Sequence, residues 1–72
     1  MDSVLLNKLI GKVCTVSMFV SLSAYVGRII AVEDGWLELK QKDGTLHYLN
    51  VNRIQEIQVM PEKVQEQWRE KP

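Results

Sequence analysis

The chain has one cysteine and one histidine, Cys14 and His47. No internal disulfide can form, and a four-ligand zinc site lacks its ligands. Neither sign of charge is in excess, with nine Lys and Arg against nine Asp and Glu. The broad phosphate-neutralising charge of a strongly basic nucleic-acid binder is therefore missing. Glycines 11, 27, 35 and 44 are scattered, so there is no glycine-rich phosphate loop. Val13–Gly27 carries no charge, but its fifteen residues are too few to span a bilayer as a helix. At 72 residues the chain makes one domain, and one core of this size rarely supplies more than ~3–5 kcal/mol. With disulfide and metal excluded, assembly with other copies is the remaining source of buried surface.

What is present is ordinary globular composition, 46% apolar and 25% charged, rather than that of a disordered tail. The charge is uneven inside the body: residues 1–32 sum to +2 and residues 33–60 to −2. The uncharged stretch follows Lys8 and Lys12 and contains Ser-Leu-Ser-Ala at 21–24, which mimics a secretory signal. It alternates, however, with Cys14, Val16, Met18, Val20, Leu22 and Ala24 in one register. That is the period of a half-buried strand, and a strand is the reading it favours.

Asp2 or Ser3 can cap a short helix through Leu9, with Val4, Leu5 and Lys8 at helical spacing and Gly11 as its stop. Five strands are expected after it, at 12–20, 24–33, 36–41, 46–50 and 54–60. Gly27 inside the second predicts a bend or a close backbone contact. Glu33-Asp34-Gly35 predicts a turn, and Asp43-Gly44 gives the strongest primed-hairpin signal. Val51-Asn52-Arg53 is a tight connection. Residues 1–60 form the domain. Residues 61–72 read either as a frayed tail or as a short helix that starts at Pro61 and packs Trp68. The expected fold is mostly β: five bent antiparallel strands closing into a small barrel.

No catalytic set can be named, so no enzyme and no cofactor is expected. Ser17, Ser21 and Ser23 lack a glycine elbow, His47 has no nucleophile partner, and Cys14 falls in the apolar register. Trp36, Lys40 and Lys42, with Arg28 on the adjacent strand, could form a basic patch with an aromatic platform. The competing reading makes Trp36 a cover for the barrel end and the lysines ordinary exposed residues, with Glu38 and Asp43 diluting the patch.

The order of elements is similar to the Sm-like (SH3-like) fold, and several segments resemble the bacterial RNA chaperone family Hfq. Val4-Leu5-Leu6-Asn7-Lys8-Leu9 resembles its helix, and Thr15-Val16-Ser17-Met18-Phe19 its Pro-Val-Ser-Ile-Tyr segment. Gly27 to Glu33 resembles its second strand, with Glu33 where the family has Asp. Trp36-Leu37-Glu38-Leu39-Lys40 is similar to its third strand, and Ile54, Ile57 and Val59 to its fifth. The likeness covers residues 3–60.

The resemblance implies a cytoplasmic protein of bacterial type, not tied to a membrane. It implies a homo-oligomeric ring, hexamer or heptamer, closed by pairing strand four of one copy with strand five of the next. It also implies binding of single-stranded RNA. The family's Tyr-Lys-His pocket becomes Tyr48-Leu49-Asn50 in one register and Asn50-Val51-Asn52 in another, keeping neither Lys nor His. Asp2 stands for the pocket glutamine, Gly35 for a phenylalanine with Trp36 one place on, and Ile10-Gly11-Lys12-Val13 for the arginine-rich rim. Asn50, Asn52 and Arg53 remain as pore-side candidates, and Phe19 and Tyr25 as aromatics on the opposite face. The candidate RNA-binding residues are thus Tyr48, Asn50, Asn52, Arg53, Phe19, Tyr25, Trp36 and Lys40. The alternative is an Sm-like protein-interaction module without RNA binding, docking through Trp36, Trp68 or an open strand edge.

Overall fold

The computed structural model describes residues 3–20 and 23–69. Helix α1 spans Ser3–Asn7 and is followed by strands β1 (Val13–Met18), β2 (Ala24–Glu33), β3 (Trp36–Lys40) and β4 (Leu46–Asn50). A 3-10 turn at Val51–Arg53 leads into β5 (Ile54–Val59), and helix α2 covers Glu62–Gln67. All pairings are antiparallel, in one sheet of order β4-β3-β2-β1-β5. No helix of the described residues is long and apolar enough to cross a membrane.

Alternation builds the core as expected on β3 and, on β1, at Cys14 and Val16. Val13 in the other register is buried too, and Val20, expected in the apolar register, lies exposed beyond the end of the strand. Cys14, Val16, Leu37 and Leu39 are fully buried, and Leu6, Ile29, Leu49, Val51 and Ile54 complete the cluster. Burial raises the pKa of the Cys14 thiol, which suits a small core hydrophobe. In α1 the expectation is corrected. The helix is five residues long, and Leu6 enters the core while Val4 and Leu5 stay exposed. Asp2, expected to cap it, lies outside the described residues.

Strand β2 serves two partners in succession, pairing Ala24–Arg28 with β1 and Arg28–Glu33 with β3. At the changeover a Cβ on Gly27 would lie 2.7 Å from the carbonyl oxygen of Lys40 and 2.8 Å from Cγ of Leu39. Only glycine fits this approach. The roll carries the Tyr25 ring to 4.8 Å from that of His47 on β4, two strands away in the sheet.

The expected barrel does not close. β4 and β5 are the two edges of an open sheet, since the three-residue turn between them redirects the chain rather than reversing it. The primed hairpin is also elsewhere than expected. Glu33 pairs with Trp36 across Asp34 and Gly35, whose φ values are 51° and 80°. Between β3 and β4, Asp43 has no positive φ; Gly44 N–H donates to Gln41 O at 2.9 Å, with Gly44 at φ 93°. That is a longer loop with one left-handed residue.

Helix α2 is docked, which decides between tail and helix. The Gln65 amide treats Val13 as a neighbouring strand would. Its Oε1 accepts from the Val13 N–H at 2.8 Å, and its Nε2 donates to Val13 O at 2.8 Å and Met60 O at 3.0 Å.

Candidate nucleic-acid interface

Register places Arg28 opposite Lys40, and the β3–β4 loop adds Lys42. The end of α2 brings Trp68 and Arg69 to the same place, forming a groove of about 190 Å³. Arg28 anchors it, with Nη1 donating to Gly11 O at 2.8 Å and Nη2 to Trp68 O at 2.7 Å. Lys42 Nζ stands 5.9 Å from the Trp68 ring centroid, within cation–π range. Among the described residues lining the groove, four are cationic and none is acidic. Asp43 turns away: its carboxylate accepts from the Thr45 N–H at 2.9 Å. That hydrogen bond to the Thr45 backbone holds its pKa below the ordinary aspartate value.

Arg28, Lys40 and Lys42, which the sequence allows either as a basic patch or as ordinary exposed residues, line one groove, with Trp68 rather than Trp36 beside them. Trp36 shares an outward face with Lys40 but lies four residues along β3, roughly 13 Å at strand rise. There it meets Tyr48 in a second groove of about 300 Å³, lined also by Ala31, Glu33, Asp34 and Glu38. Trp36 and Tyr48 are 50% and 59% exposed, so each ring offers open surface to a ligand. Among the described residues, no group of three or more His, Cys, Asp or Glu is placed to hold a metal ion.

The other candidate residues do not join either groove. Asn50, opposite Trp36, uses its side chain to accept from the Asn52 N–H at 2.9 Å and so caps the 3-10 turn. Asn52 and Arg53 are exposed on that turn. Phe19, expected on the face opposite Arg53, donates its backbone N–H to Arg53 O at 2.9 Å, so their backbones adjoin. Tyr25 is half-buried against His47, whose Nε2 lies 2.9 Å from Oε1 of Gln41. The eight candidates thus fall in four places. Arg69 was not singled out from the sequence; it follows Trp68 directly, and only the docking of α2 gives it a role.

Fold and site together define a small, mostly β, single-sheet domain that carries two aromatic grooves of opposite charge. The chain belongs to the DUF6897 family, a domain of unknown function, which matches residues 1–58. No curated protein and no solved structure matches it. Helix α2, with Trp68 and Arg69, lies beyond the matched residues.

Proposed function

We propose that the chain is an Sm-like protein of Hfq type that assembles into a homo-oligomeric ring in the cytoplasm and binds single-stranded RNA. The observation that carries the reading is the groove of Arg28, Lys40, Lys42 and Arg69 around Trp68. Cations placed beside a half-buried aromatic ring suit a single strand: phosphates take the charges and a base stacks on the part of the ring left open. The groove also supplies the concentrated local patch that a chain with zero net charge needs for such binding. The open β4 and β5 edges support the ring, because each offers unpaired backbone groups to the other edge of a neighbouring copy. Repetition round a ring multiplies a modest groove by avidity.

Fluorescence anisotropy with labelled A-rich and U-rich oligonucleotides tests the binding. Affinity should fall with salt at a slope of roughly −2 to −3 if the groove neutralises about three or four phosphates. No binding at low salt would overturn the RNA reading. Light scattering showing a stable monomer at micromolar concentration would remove the ring.

A further inference from the structure

The second groove is unlike the first in every charge-bearing position. Trp36 and Tyr48 present their rings on the outer face of β3 and β4, where Glu38 stands directly opposite Tyr48 in the register. Glu33 and Asp34, at the end of the β2–β3 hairpin, complete the wall, and among the described lining residues none is basic. A phosphate entering here would meet three carboxylates, so the groove disfavours nucleic acid.

We propose that this groove docks an arginine side chain carried on an exposed segment of a partner protein. Charge complementarity selects a cation, and two exposed aromatic rings select one that can lie against a π face. Guanidinium meets both demands at once. Its plane stacks on indole or phenol while its edge donates to carboxylates. A compact, strongly hydrated ammonium uses the rings less well, which sets arginine above lysine. The site goes beyond the RNA reading and shares no lining residue with the basic groove.

The test uses a short Gly-Arg repeat peptide, its citrulline and lysine counterparts, and spermine. Binding is followed by calorimetry and by the Trp36 indole resonance on the full chain. The arginine peptide should bind and shift that resonance; the lysine peptide should bind more weakly and the citrulline peptide not at all. Trp36→Ala, at an exposed ring, and Glu38→Gln, at a half-buried carboxylate, should each lower affinity roughly tenfold. Trp36→Phe should keep part of it, and Lys42→Ala should leave it unchanged.

Equal binding of the citrulline peptide, or no effect of Trp36→Ala, would overturn the proposal. So would spermine binding as tightly as the peptide, which would make this a polyamine site. A change of oligomeric state in Trp36→Ala with peptide affinity intact would assign the groove to a second copy instead. Absence of RNA binding would bear only on the basic groove.

Discussion

Strand β3 has Trp36 at one end and Lys40 at the other, both on its outer face, and the two ends work in opposite electrostatic surroundings. The acidic groove comes from β2, β3 and β4 and the hairpin turn between the first two, all local in sequence. The basic groove needs a helix held to Val13 from 52 residues away. Two lessons follow from the difference. A net charge of zero can conceal two grooves of opposite charge, even though Glu62 and Glu66 share a neighbouring cavity with Arg28 and Arg69. One surface also comes with the sheet, while the other exists only as long as α2 stays docked.

The largest expected effect would damage both grooves. Gly27→Ala forces a methyl group against the Lys40 carbonyl and the Leu39 side chain, and should cost about 3 kcal/mol in urea denaturation. Gln65→Ala should separate them. It removes three hydrogen bonds and leaves the buried Val13 N–H without its partner, for about 2 kcal/mol. RNA affinity should fall sharply while arginine-peptide affinity stays; loss of both would show that the grooves are not independent. Lys42→Ala or Arg69→Ala should each flatten the salt slope of RNA binding by roughly 0.7, with little change in stability.

The smallest effect concerns Asp43. Its folded pKa is depressed by the Thr45 backbone hydrogen bond, so its contribution is present above the unfolded-chain value. It is lost as pH falls through the lower folded value. Asp43→Asn should flatten the stability profile only below about pH 4, as read from urea midpoints. The Trp36 indole resonance should not respond to it.

Strand positions were legible because alternation is a local signal: Val16, Leu37 and Leu39 are buried where the period puts them. Gly27 was legible as a point of close approach, although only the structure shows Lys40 and Leu39 to be what it approaches. The two Asp-Gly pairs show where local chemistry runs out. Both allow positive φ, and loop length decides which adopts the primed turn; β3 stops at Lys40, leaving five residues before β4. The basic patch was half legible, since Arg28, Lys40 and Lys42 fall close by strand register. Its aromatic was misassigned because Trp36 shares their face in the pattern, whereas Trp68 arrives through a helix whose anchor is one amide on a distant backbone. Closure was overestimated for a related reason. Bent strands signal a roll, but whether the last strand pairs with the fourth depends on a three-residue turn.

The strand order also bears on how quickly the chain can reach this state. Strands β1 to β4 are joined as consecutive neighbours, whereas β5 returns to lie beside β1, bringing Val59 against Cys14. Three pairings can thus form early from nearby segments, and the fourth waits on closing the long loop from β1 through β4 to β5. Such non-local contacts slow folding across small domains, placing all-β chains of this kind in the millisecond-to-second range. Docking of β5 is then the expected slow step, to be checked by stopped-flow refolding. Substitutions at the β1–β5 seam, such as Ile57→Ala, should slow refolding only as far as that seam is already formed at the barrier, and otherwise speed unfolding.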